Sequence, residues 1–378
     1  MFDVNEYIKR AAHRSGYKRE SYIERNMPTQ PSNVVAVPFY GDLRSLFVFS
    51  SFILKNYKEA NKDKYLILCS WPGMQGLFPY VDEYWSIEDE SVTKTLATEA
   101  NNYYNTSSLA TDLTRGLIEV LSVATARDFK VYYDDGFTQK YLDAFGGIKR
   151  FLPEVPSATK ISNDFRLQME RKPGQKIVVY PATKMRSRQQ GQTVYLPILK
   201  EFWVALIERL LAEGYVPVVY QNWFTYDMSR DFVDRCVYLV PRSVLDVLAA
   251  FRHIGFVLDV HTGISKLALA ARCPFLTVTE RQSFVEDKDY EIDDLCGEGL
   301  PHQYLFSFST MLMQGGQSEW NVCLLDQIMV RLKEFLPTLK GATLPSTNES
   351  YELTSYEKVR QRKARRMGVT FINSSKNK

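Results

Sequence analysis

The sequence predicts an α/β protein of two domains, each built from strand–turn–helix units around a parallel sheet. Three observations lead there. At 378 residues the chain is longer than one core comfortably fills. Short apolar runs recur between stretches of helical periodicity, as in parallel sheets. Residues 256–278, FVLDVHTGISKLALAARCPFLTV, contain a whole βαβ unit: a strand from Phe256 to Leu258, a polar turn, a helix, and a second strand from Phe275 to Val278. Ligands of such sheets sit at the carboxyl ends of the strands. A helix starting just after Thr262-Gly263 aims its first N–H groups and its positive dipole end at whatever lies above, and an anion such as a phosphate suits that place.

Taken in order, residues 1–25 read as an amphipathic helix bearing Lys9, Arg10, Arg14, Lys18, Arg19 and Arg25, either a solvated surface helix or a polyanion contact. Met27 to Ser32 is a linker. Asn33 to Pro38 is the first strand, and Phe39 to Ser45 turns into a helix reaching about Asn56. Tyr65 to Cys69 is a second strand, and Tyr80 to Trp85 an edge strand or a helix end. Residues 88–108 read as a polar loop with possible helical pieces, Leu109 to Ala126 as a helix and Phe129 to Tyr133 as a strand. Prolines 153 and 156 mark a boundary near residue 160. Lys176 to Tyr180 then opens a second α/β domain, followed by a flexible basic loop (181–191) and a helix from Tyr195 to Glu213 ended by Gly214. Strands at 216–220 and 236–240 follow, then a helix from Arg242 to Arg252 and the unit described above. Residues 280–299 form an acidic loop, and 319–336 an amphipathic helix. A linker over 337–350 leads to a last helix over 351–366. The expected organisation is residues 1–160, residues 161–340, and a basic tail from 341 to 378.

Composition narrows the function. A 45% hydrophobic, 24% charged chain is an ordinary globular one, and a net charge of +3 does not by itself point to nucleic acid. Five scattered cysteines without a CxxC pair, four histidines, and a charged start lacking an apolar core predict reduced thiols, no zinc or other metal site, no signal peptide and a cytoplasmic protein. No apolar run is long enough to span a membrane. The carriers of several chemistries are missing: there is no GxSxG, HExxH, Walker A or GxGxxG.

Three groups of residues remain as candidates. Asp42, at the start of the first helix, fits two roles: an N-cap, or a general base at the carboxyl end of a strand. Lys184, Arg186 and Arg188 fit a solvated loop or a contact to a diphosphate. His261, Thr262, Gly263, Ser265 and Lys266 form the second anion site, in which His261 caps the helix, meets a ribose or is merely structural. The run 358–366, with six basic residues in nine, is a solvated face or a polyanion contact.

These stretches together resemble a known family. NVVAVPFYGDLRSLFVFSSFILKNY, with YVDEYW some forty residues on, is similar to the N-terminal pattern of glycosyltransferase family 9, the heptosyltransferase-like enzymes. VYPATKMRSR, LLAEGYVPVVY and VLDVHTGISKLALAARCPFLTV resemble that family's second domain, where a basic residue and a D-T-G-x-S-H-x-A turn hold the diphosphate of a nucleotide sugar. The resemblance spans most of residues 33–280. It implies the GT-B fold, with two Rossmann-like domains facing an interdomain cleft. It also implies transfer of a sugar from a nucleotide-diphosphate donor to an acceptor hydroxyl, inverting and without an obligatory metal or other cofactor. By position, Asp42 becomes the base, Lys184 or its arginine neighbours the diphosphate contact, and Thr262, Gly263, Ser265 and Lys266 the phosphate turn. The family's turn aspartate is His261 here and its histidine is Lys266, which implies a donor other than ADP-heptose. A glycan is the expected acceptor; a modified base in DNA, or a non-catalytic scaffold of the same fold, are the alternatives.

Overall fold

The computed structural model describes residues 3–23, 26–99, 108–124, 148–149, 161–189, 192–260, 262–280, 300–307, 319–340 and 352–353. They form a mixed α/β structure around two largely parallel sheets.

The first sheet contains β1 (Tyr17–Tyr22), β2 (Val34–Pro38), β3 (Tyr65–Ser70), β4 (Glu83–Ile87) and β5 (Ser122–Val123), in the order β1-β4-β3-β2-β5. β2 to β5 run parallel, and β1 returns antiparallel along β4. β3 and β4 are buried along their whole length, which explains why they read as unbroken apolar runs. The N-terminal helix α1 (Val4–Arg14) is shorter than the expected 25 residues. Gly16, at φ +76°, turns the chain, and buried Tyr17 starts a strand. β4 is therefore not an edge: β1 covers it, and the Arg19 guanidinium reaches the buried Glu83 carboxylate.

Helix α2 runs through Leu43–Val48, a π-helical stretch Phe49–Leu54, and Lys55–Ala60. The expected loop over 88–108 contains α3 (Glu90–Glu99), started by Asp89, whose carboxylate accepts Ser91 N–H at 2.7 Å. The helix expected over 109–126 is α4 (Ser108–Ile118), after which β5 joins the sheet. The strand expected at 129–133 and the boundary at 153–160 lie outside the described residues.

After α5 (Asn163–Arg171), the second sheet contains β6 (Lys176–Val179), β9 (Val216–Tyr220), β10 (Val237–Leu239), β11 (Val257–Val260), β12 (Phe275–Glu280) and β13 (His302–Ser307). All its neighbours pair in parallel, in the order β10-β9-β6-β11-β12-β13. In chain order that is the 3-2-1-4-5-6 arrangement of a Rossmann sheet, and the strand order reverses between β6 and β11. The first sheet likewise reverses between β2 and β5. Helices α6 (Lys200–Ala212), α7 (Val244–Ile254), α8 (Ser265–Ala271) and α9 (Glu319–Phe335) complete this half.

Between β6 and α6 the expected loop is an ordered antiparallel hairpin, β7 (Lys184–Gln189) and β8 (Gln192–Pro197). Consequently α6 begins at Lys200 rather than Tyr195. Pro197 forces Leu196 out of helical geometry, and Val194, Tyr195 and Leu196 suit a strand. Buried Met185 and a bond from Ser187 Oγ to Glu280 Oε2 (2.6 Å) fix one face of the ribbon. Of the expected last helix, Glu352–Leu353 instead pairs antiparallel with Ile148–Lys149; the basic run 358–366 lies outside the described residues.

The two sheets share a core. One apolar cluster runs from α1, α2 and the first sheet to α7, α8 and the facing side of the second sheet, including Val178, Val218 and Val257. A second cluster, with Ile177, Val179, Val219 and Leu258, packs the far side of that sheet against α6 and α9. Between the sheets, Trp71 meets Phe224 edge-on with centroids 5.6 Å apart, and Val244 N–H donates to Gly73 O at 2.7 Å. Gly73 sits at φ +75°, where a Cβ would come within 2.9 Å of the Arg242 carbonyl oxygen.

Candidate active site at the carboxyl ends of the sheets

Asp42 follows β2 by four residues, at the place where the first sheet's strand order reverses. Its backbone is extended, and it caps α2: Oδ1 accepts Ser45 N–H at 2.7 Å and the Ser45 hydroxyl at 2.6 Å. Its other oxygen, Oδ2, accepts the hydroxyl of Tyr195 at 3.3 Å. Tyr195 belongs to β8, so this bond joins the first sheet's crevice to the hairpin that rises from the second. Behind Asp42 the turn is fixed by Trp71, whose indole N–H donates to Gly41 O at 2.7 Å, and by Tyr40, which shares a hydrogen bond with Tyr17 and packs edge-on against Trp71.

On the second sheet the organising residue is Asp259, which the sequence reading did not single out. It lies inside β11 and is fully buried. Oδ1 accepts Thr262 N–H at 2.9 Å and the Thr262 hydroxyl at 2.7 Å; Oδ2 accepts Ser265 N–H at 3.3 Å. This corrects the expectation of free N–H groups at the turn, because two of them already bind a carboxylate of the chain. The signal was present in the sequence: an acid at the end of an apolar run, with Thr and Ser three and six residues later, is a side-chain-capped turn.

The other predicted residues are placed as follows. Gly263 has φ +82°, and a Cβ there would lie 3.0 Å from Arg44 Cβ, so the turn is pressed onto α2. Ser265 and Lys266 are buried, as is Arg44. Lys184 is exposed on β7. Arg186 and Arg188 follow it two and four positions on in the same strand, and Tyr195 pairs with Arg186 in the register of the ribbon. His261 lies outside the described residues. The structure thus brings Asp42, the hairpin and the 262–266 turn to one region.

Tyr180 closes β6 between the two carboxylates, and its hydroxyl donates to Asn222 Oδ1 at 2.9 Å. Burial and then neighbouring Tyr220 hold its hydroxyl well above the ordinary phenol range; the hydrogen bond to Asn222 pulls the other way, and the charges of Asp42 and Asp259 add smaller upward pushes. Tyr180 is thus a neutral hydrogen-bond donor within the field of both acids. Beyond it, at the carboxyl ends of β9 and β10, opens a cavity of about 460 Å³ lined by Asn222, Trp223, Tyr226, Asp227, Val240 and Pro241 among others. Lys94 of α3 lies over the Trp223 ring, 5.5 Å from its centroid. Among the described residues no group of three or more His, Cys, Asp or Glu side chains is placed to hold a metal ion, and no helix is long and apolar enough to cross a membrane.

No family model matches the chain, and no curated protein matches it in sequence. Several solved structures are similar to it. A family 9 glycosyltransferase from Veillonella parvula DSM 2008 matches at 10% identity and TM-score 0.41, over 83% of this chain and 99% of that one. The E. coli ADP-heptose lipopolysaccharide heptosyltransferase II matches at 11% and 0.40, over 80% and 99%. E. coli heptosyltransferase WaaC, solved with ADP, matches at 14% and 0.36, over 80% and 98%. These are structures of the family that the motifs resemble. At such identities and TM-scores the functional argument rests on the chain's own residues.

Proposed function

We propose that this protein is a glycosyltransferase in which residues 1–160 hold the acceptor, residues 161–340 hold a nucleotide-diphosphate sugar, and Asp42 is the base between them. The observation that carries the reading is the bond between Asp42 and Tyr195. It places a carboxylate from one sheet's crevice beside a cationic ribbon rooted in the other's, which is the juxtaposition that transfer from an anionic donor to a hydroxyl requires.

In this reading Asp42 Oδ2 takes the acceptor's proton as its oxygen bonds to the anomeric carbon and the bond to the diphosphate breaks. A single direct displacement inverts the anomeric centre. The departing diphosphate gains charge, which Lys184, Arg186 and Arg188 balance from the ribbon. The 262–266 turn, with Thr262, Gly263, Ser265 and Lys266, forms the other wall. Since Asp259 occupies Thr262 N–H and Ser265 N–H, that wall contributes less through those amides and more through Lys266 and the α8 dipole. The cavity beyond Asn222, with Trp223 at its rim, is of a size for the nucleoside. Protein cations stand where other enzymes use a metal, so no cofactor is required. The acceptor is a glycan. Transfer that weakens steeply with salt would instead favour DNA held by the basic segments.

The test separates base from cap. Asp42→Asn keeps a capping oxygen and removes the base. A thermal-shift screen with ADP, UDP, GDP and their sugars identifies the donor. Asp42→Asn should then melt close to the wild type, bind that donor within a few-fold, and turn it over about 100- to 10,000-fold more slowly. An active variant removes Asp42 from the mechanism. A wild-type protein that neither binds nor slowly hydrolyses any sugar nucleotide is a scaffold.

A further inference from the structure

We infer that Tyr195 is a positioning residue for Asp42: the hairpin that carries the cationic positions also sets the second carboxylate oxygen, so donor seating and base orientation are tied to one ribbon. The inference rests on the reading of Asp42 as a base and adds a residue that no motif marks.

The geometry is specific to the two oxygens. Oδ1 is committed to the start of α2 through the amide and hydroxyl of Ser45. That pair of bonds fixes where Oδ2 points, and Oδ2 meets the Tyr195 hydroxyl. A carboxylate oxygen has two lone-pair directions, so the phenol takes one and leaves one for an acceptor hydroxyl. Tyr195 stands across the ribbon from Arg186, two residues from the Lys184↔Pro197 and Arg188↔Thr193 pairs on either side. Met185 and Ser187 point the other way and anchor the ribbon, through burial and through Glu280, to the second sheet. A movement of the ribbon towards a bound diphosphate therefore carries the phenol with it, and Asp42 feels it through Oδ2.

Of the groups on the elements near Asp42, Tyr195 of the hairpin donates directly to its second carboxylate oxygen. Tyr195→Phe keeps the ring and deletes that donation.

The experiment uses the full chain with carbon-13 in the aspartate carboxyl groups. Asp42 is assigned by the signal lost in Asp42→Asn, and its carboxyl carbon is compared by NMR between the wild type and Tyr195→Phe. The Asp42 signal should move in the variant as the donated bond is lost, while that of Asp259 stays in place. An unmoved Asp42 signal overturns the proposal. A second arm follows hydrolysis of ADP-, UDP- and GDP-linked sugars. Tyr195→Phe should lower kcat about ten-fold with the donor KM unchanged, and a change in KM alone overturns the positioning role. If the wild type hydrolyses none of these donors, the transferase reading falls, and the NMR comparison by itself still decides whether Tyr195 positions Asp42.

Discussion

Asp259 is buried, yet both of its oxygens are engaged, by Thr262 and by Ser265. Replacing it with alanine strands the buried Ser265 amide and leaves the half-buried Thr262 groups without their acceptor, at a cost of about 1–3 kcal/mol. Chemical denaturation of Asp259→Ala should show that loss, and Asp259→Asn, which keeps one acceptor oxygen, should recover part of it. The cysteines make a separate residue-scale prediction. Burial pushes the Cys236 thiol up to about 12, and burial raises the Cys69 and Cys273 thiols as well. Cys323 is exposed. Iodoacetamide at pH 8 followed by peptide mapping should label Cys323 fast and those three slowly, because a group with a raised pKa holds its proton well above that pH. Residues also show what the sequence could disclose. Asp42 was legible as cap or base because both roles follow from a strand–turn–helix boundary. Tyr195 was not, since its partner lies 153 positions away and only the tertiary fold brings them together.

Among the elements, the hairpin is the one inserted into an otherwise ordinary strand-to-helix connection. β6 and α6 are held by the sheet and by the apolar cluster around Trp203 and Leu206, to which the ribbon adds Met185. Replacing residues 185–196 with a short glycine–serine turn should leave a folded protein by circular dichroism, while affinity for nucleoside diphosphates falls at least about ten-fold with the loss of several charge-assisted contacts. Calorimetric titration checks it. The elements most readable beforehand were those whose periodicity was undiluted: β2, β3, β9, β12 and the amphipathic α9. The ribbon was misread as a loop because its basic positions alternate with only one deeply buried apolar residue, Met185, too weak a period to register. α1 was overextended for the opposite reason. Basic residues continue through β1, and their charge pattern hid the break at Gly16.

For the molecule as a whole, the contact between the two sheets is built from backbone as much as from side chains. Gly73→Ala forces a left-handed residue with a Cβ into the Arg242 carbonyl, and should cost about 1–2 kcal/mol or more. Trp71→Ala removes the ring that bridges Gly41 and Phe224 and should cost about 3–5 kcal/mol. Both are measured by denaturant titration, and both should weaken donor turnover, because Asp42 hangs from the same turn. The presence of two α/β halves was legible from the repeat of strand–turn–helix units. Their joint core was not, since apolar periodicity says that a helix face is covered but not by which sheet.

That joint core bears on how the protein can be handled. The proposed boundary near residue 160 looks like a place to divide the chain, yet α7 and α8 bury their apolar sides in a cluster that also includes the first sheet. A fragment starting at residue 161 would present that surface to water and aggregate, and one ending at 160 would lose the partner of α2. Co-expressed, the two pieces should find each other and copurify, and the intact chain should melt in a single transition. The halves of this molecule should then behave as one folding unit that happens to carry two sheets.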